Sequence, residues 1–184
     1  MQSMNDVLDR HFGLVAARVR VPAAGRPGAV AIDIRRDGRG EYFELRLPRR
    51  ASTAVVNRDN AHWHLLLLVT VDGEKSRFLC GHDERHWFVA AIPEAASRVV
   101  DVRTAKHALQ QTLVQAAAAK LRPKERLRRR NHAFRRQGEW FFVPATGFEP
   151  DPHLVLRREP LSRGSGSKPH IMDSSSAAAT PPCM

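Results

Sequence analysis

This chain is poor in cysteine: its 184 residues include two, Cys80 and Cys183. That is too few for a disulfide framework and is what a protein of the reducing cytoplasm is expected to show. Long apolar runs are missing as well. Residues 65–69 form one of the longest, against the roughly 20 needed for a helix to span a bilayer, so no membrane partner is expected. Residues 1–10 contain two acids and no apolar stretch, so a signal peptide is not expected either. There is no Gly-rich phosphate loop, no G-x-S-x-G, no H-E-x-x-H and no C-x-x-C. The motifs that would announce a nucleotide site, a serine hydrolase or a common zinc site are thus absent, and no cofactor is implied.

What is present is charge of one sign. Lys and Arg number 30 against 19 Asp and Glu, a net +11 with a pI near 11.0. Hydrophobic residues at 42% and charged residues at 27% are globular values, which excludes wholesale disorder and leaves room for one domain with a core or two small ones. The charge is concentrated. Residues 120–136 hold nine bases (Lys120, Arg122, Lys124, Arg126, Arg128, Arg129, Arg130, Arg135 and Arg136) and one acid, Glu125, a net +8. The remainder of the chain is close to neutral.

Periodicity predicts an α+β fold: an antiparallel meander of about six strands, one principal helix, a basic arm at 120–136 and a disordered tail. Ser3 or Asn5 can cap a short N-terminal helix over 1–13, with a single domain following over 14–160. Val15, Ala17, Val19 and Val21 alternate with Arg18 and Arg20 as a half-buried strand. Val30, Ile32 and Ile34, then Phe43, Leu45 and Leu47, alternate on either side of Asp37-Gly38 as a hairpin. Residues 48–61 are polar and without period. Residues 64–71 are apolar at successive positions, the pattern of a central strand covered on both faces. Asp72-Gly73 marks another turn, and strands around 77–80 and 86–92 complete the meander. Asp101 or Thr104 can cap a long helix over 104–121 with Ala105, Ala108, Leu109, Leu113 and Ala116 on one face. The basic stretch follows as a second short helix through Phe134, then β-prone residues 139–143 and a short strand at 154–156. Residues 161–184 are Ser-, Ala- and Pro-rich, and no aromatic residue follows Phe148, so a disordered tail is expected.

Three constellations carry candidate chemistry. The nine bases of 120–136 are suited to phosphate oxygens, which predicts non-specific binding of DNA or RNA. Trp140, Phe141 and Phe142 beside them could stack on bases, although their alternation places part of the trio in the core. The same charge would equally suit an acidic protein partner. Second, His62, His64, Cys80 and His82 form two pairs at strand spacing that adjacent strands could bring to one metal; buried, hydrogen-bonded positions are the competing reading. Third, Cys80 with His82, His86 and Asp83 contains the residue types of a thiol enzyme. Alternate strand neighbours make cooperation between Cys80 and His82 depend on a bend at Gly81.

Residues 80–93 (CGHDERHWFVAAIP) and 131–144 (NHAFRRQGEWFFVP) resemble segments of an uncharacterised family of bacterial proteins. Arg158-Glu159-Pro160-Leu161 and Lys168-Pro169-His170 resemble the start of a third. The resemblance covers most of 14–170 and implies no function and no site residue. In such proteins the chain continues into folded sequence beyond the Pro-His pair, so a truncated or frameshifted C-terminus is expected here.

Overall fold

The computed structural model describes residues 3–22, 29–83, 86–96, 98–128, 130–137, 140–144, 147, 149–161 and 170–176. Ser3 starts helix α1 (Met4–Gly13) with a reciprocal box: its hydroxyl accepts from Asp6 N while the Asp6 carboxylate accepts from Ser3 N, both at 3.2 Å. Two amides that the helix start leaves without partners are satisfied in this way. Leu8 and Phe12, one turn apart, are buried. The chain then turns left-handed at Ala16, φ 58°, and Ala17 N donates back to Phe12 O. That closing turn consumes residues 14–17, so the alternating strand expected there shrinks to β1 (Val19–Arg20).

β2 (Ala31–Asp37) and β3 (Gly40–Arg46) make the expected hairpin, with Asp37 opposite Gly40. β1 lies parallel to β3, giving a three-stranded sheet ordered β1-β3-β2. A second, antiparallel sheet runs in chain order through β4 (Ser52–Asp59), β5 (His64–Val71), β6 (Glu74–His82) and β7 (Trp87–Ala91). The expected single meander is therefore two sheets. Its unforeseen member is β4, whose register shifts between Val55 and Asn57; a bulge of this kind breaks the alternation by which a strand is read. Asp72 and Gly73, at φ 50° and 91°, supply the two left-handed residues of a tight β5–β6 hairpin.

β5 is covered on both faces, as its composition predicts. Leu65, Leu67 and Val69 join Leu8, Phe12, Phe43, Leu45 and Cys80 in the main core. Leu66, between them, joins Leu79, Ile92, Val99, Val102 and Ala105 on the opposite side. This second side is built by α2 (Val102–Ala108), capped by Asp101, whose carboxylate accepts from Thr104 N at 2.6 Å.

The long helix expected over 104–121 is two helices, α2 and α3 (Thr112–Ala118). The break is stabilised by Gln115, whose Nε2 donates to the carbonyls of His107 (3.1 Å) and Gln110 (2.8 Å) at and just past the end of α2. It also splits the expected apolar face. Ala105 packs beneath the four-stranded sheet, Val114 and Ala118 pack on Phe134, and Leu113 is 67% exposed. Residues 123–128 form turns in place of the expected second helix, leading to β8 (Arg135–Gln137) and β9 (Trp140–Phe142), which pair antiparallel.

The chain divides into two compact units, Met1–Val143 and Pro144–Met184, so the boundary falls within the single domain expected over 14–160. In the second unit, β10 (Val155–Arg157) pairs with β13 (Ser174–Ser176), and β11 (Pro160–Leu161) with β12 (His170–Ile171). Of the tail expected beyond 161, residues 162–169 and 177–184 lie outside the described residues. The fold is α+β with mostly antiparallel strands, and no helix among the described residues is long and apolar enough to cross a membrane.

Candidate functional site

The basic segment is folded in place around Phe134, which is 1% exposed and meets Phe141 edge-on at 5.2 Å. Val114, Ala118, Leu121 and Val143 close the cluster. With the apolar side chains turned inward, Lys120, Arg122, Lys124, Arg128, Arg130, Arg135 and Arg136 are left exposed; Arg129 lies outside the described residues. Two of the nine have local duties. Arg126 donates from Nε to Leu121 O at 2.8 Å and from Nη2 to Ala119 O at 2.9 Å, closing the chain just past α3. Arg122 pairs with Glu125 at 3.1 Å, an exposed contact of small energy. The Arg136 guanidinium lies 5.5 Å from the Phe141 ring centre. Lys120, Lys124, Arg128, Arg130 and Arg135 have no carboxylate within ion-pair distance among the described residues.

The aromatic trio does not serve as expected. Phe141 packs on Phe134 and lies near the Arg136 guanidinium, and Phe142 is half-buried. The Trp140 side chain lies outside what is described.

The histidines and Cys80 go to different places. The His62 Nδ1 is 2.9 Å from Asp59 Oδ2, with the ring mostly exposed. The His64 ring lies on the α2 side of the sheet, 5.7 Å from Phe88. Burial, aided by the Lys106 charge, pushes its pKa down to about 4, and its buried Nδ1 has no partner among the described residues. Cys80 points to the opposite side, into the main core, where burial pushes its thiol well up; a thiol so placed is no nucleophile. The His82 ring meets the rings of Trp63 and Trp87 edge-on at 5.4 and 4.9 Å. His86 reaches Glu41 at 3.2 Å. The alternative in which His62, His64, Cys80 and His82 converge on one metal is not met, because strand alternation sends His64 and Cys80 to opposite faces. Among the described residues no group of three or more His, Cys, Asp or Glu side chains could hold a metal.

Gly81 also differs from expectation. β6 runs through it as a regular strand, which leaves Cys80 and His82 on one face, two positions apart, with the Cys80 thiol buried in the core. The role of Gly81 is space: a Cβ there would lie 2.4 Å from His64 Cδ2 and 2.9 Å from Phe88 Cζ.

Two features escaped the sequence reading. At the end of β4 the Asp59 carboxylate stands between His62 and Lys106 Nζ, the latter at 4.0 Å. Burial opposes its ionisation, but the hydrogen bond and charge of His62 and the charge of Lys106 prevail and lower its pKa. Lys106 has its own pKa lowered by burial and by the nearby Arg136, against the pull of Asp59. Lys106 of α2 thus pairs with Asp59 and lies within the electrostatic reach of Arg136. The second feature is Trp63 in that connection, 46% exposed at φ 56°; the available signal was a tryptophan set in a polar turn between two histidines. Compared with known proteins, the chain matches no family model, no curated protein and no solved structure.

Proposed function

We propose that the protein binds nucleic acid, DNA or RNA, as a polyanion through the cations of residues 120–136, with little base specificity and in the cytoplasm. One observation carries the reading: Lys120, Lys124, Arg128, Arg130 and Arg135 are exposed and lack a carboxylate partner among the described residues, on a segment anchored by the buried Phe134. Cations held this way keep their full attraction for phosphate, and each phosphate contact formed releases condensed counterions. With about five such contacts, log K should fall with log salt at a slope of about −4 on duplex DNA. The test is the affinity of the full chain for a random duplex and for single strands across a salt series. Binding at low salt that falls with this order of slope supports the reading. No binding at low salt, or affinity indifferent to salt, refutes it. Stronger binding to polyglutamate than to either nucleic acid would refute it in favour of an acidic protein partner.

A further inference from the structure

The β4–β5 connection holds an aromatic ring at the surface in a costly backbone state. Trp63 has φ 56°, a region where a bulky residue is an outlier and strain of about 1–3 kcal/mol persists only if the surroundings impose it. Here they do. The Trp63 carbonyl accepts from His82 N at 3.2 Å, the His82 ring meets the indole edge-on at 5.4 Å, and Trp87 lies 6.5 Å away. On the preceding side, Asp59 holds His62 through both its backbone N–H, 3.2 Å from Oδ1, and its ring Nδ1. With all these contacts the residue is still 46% exposed. The indole is therefore fixed along one side and open along another, so little side-chain entropy remains to be lost when a flat partner settles on it.

Charge lies close by. Asp59, which holds the turn, is 4.0 Å from Lys106. Lys106 is near enough to Arg136 to feel its charge. His62, Asp59 and Lys106 thus lead from the turn that carries Trp63 to a cation on α2.

We infer that Trp63 is a stacking platform for an unpaired nucleobase, and that the preferred ligand of the protein is accordingly single-stranded nucleic acid, its phosphates held by the cations of 120–136. This rests on the polyanion reading above and narrows it. A base within a duplex shows its edges to a protein, whereas a single strand offers its faces, and stacking on an aromatic side chain is tolerant of sequence.

The experiment compares oligothymidylate with a duplex of matched length, both at low salt, on the wild type, Trp63→Ala and Trp63→Phe. The wild type should bind oligothymidylate more tightly than duplex, with quenching of tryptophan fluorescence. Trp63→Ala should weaken oligothymidylate binding about tenfold or more and leave duplex affinity unchanged. Trp63→Phe should keep most of the affinity and lose much of the quenching. Should Trp63→Ala fail to fold, Trp63→Gly gives the same reading, since glycine adopts the left-handed backbone freely. Equal affinity of wild type and Trp63→Ala for oligothymidylate, or an equal loss on both ligands, overturns the platform. If removing Arg128, Arg130 and Arg135 abolishes binding while Trp63→Ala has no effect, the platform falls and the polyanion reading stands. If the wild type binds neither ligand, both fall.

Discussion

Two parts of this molecule are rich in arginine, and they treat it in opposite ways. In the β1-β3-β2 sheet the cations are matched by carboxylates. Arg18 and Arg20 converge on Asp37 at 2.7 and 2.5 Å, Arg36 meets Glu41 at 3.0 Å, and Arg46 pairs with Asp33. Arg36 and Glu41 are direct cross-strand neighbours, and Arg20 also lies 4.3 Å over the Tyr42 ring. Strand pairing sets Arg36 and Glu41 opposite each other. Around Phe134, by contrast, Arg122 meets Glu125, while Lys120, Lys124, Arg128, Arg130 and Arg135 have no carboxylate partner among the described residues. The same side chain therefore acts as internal fastening in one region and as displayed charge in the other. A pI near 11.0 reports their sum and hides the difference.

The comparison is tested first by removing the support of the displayed region. Phe134→Ala should destabilise the 112–143 region by about 3–5 kcal/mol and abolish tight nucleic-acid binding with every cation retained. Denaturant melts and binding on one preparation would show it; undiminished binding would mean that the fold around Phe134 is irrelevant to display.

Next, Arg128→Ser, Arg130→Ser and Arg135→Ser together should cut affinity for all sequences alike and reduce the salt slope by about 3. Arg20→Ser with Arg36→Ser should leave that slope unchanged. An equal effect from the two sets would break the distinction between fastened and displayed charge.

Acid should act on the sheets. The hydrogen bond from Arg18 holds the Asp37 carboxyl well below its usual range, and the Trp87 N–H and Arg36 do the same for Glu41. Such groups contribute stability above their unfolded pKa and lose it as pH falls through the folded one. His64 acts earlier. Its folded pKa of about 4 lies below the ordinary 6.5, so the unfolded chain takes up a proton first and stability drops between about pH 6.5 and 4. Discounted for partial exposure, that loss is about 2 kcal/mol. Melts across this window should show the slope in the wild type and lack it in His64→Phe.

The smallest effect sharpens the boundary between the two uses. Arg126 lies within the displayed segment yet serves the fold, so Arg126→Ala should cost about 1 kcal/mol of stability and lower the salt slope by less than each of the other replacements does. A drop in slope as large as theirs would reassign Arg126 to display.

Much of this was legible locally. The doubly apolar residues 65–69, the Asp72-Gly73 turn, the Asp101 cap and the position of the basic segment all follow from nearest neighbours in the chain. The bulge at β4 hid a strand because one extra residue shifts the alternation by half a period. The α2–α3 break depends on a Gln115 amide reaching back eight residues to His107 O, against which a high helix propensity at 116–119 was misleading. The site features were hidden for a further reason. Which carbonyls Arg126 reaches, and whether His64 meets Cys80, depend on partners that only the folded chain supplies.

The fit of His64 over Gly81 has a consequence for how the protein can change over evolutionary time. With a side chain at 81 directed onto the imidazole at 2.4 Å, the two positions are not free to drift separately. Position 64 can give up its ring first and leave a gap; position 81 cannot gain a methyl first unless the His64 and Phe88 rings shift. The less strained path through sequence space is thus ordered, with the change at 64 before the change at 81.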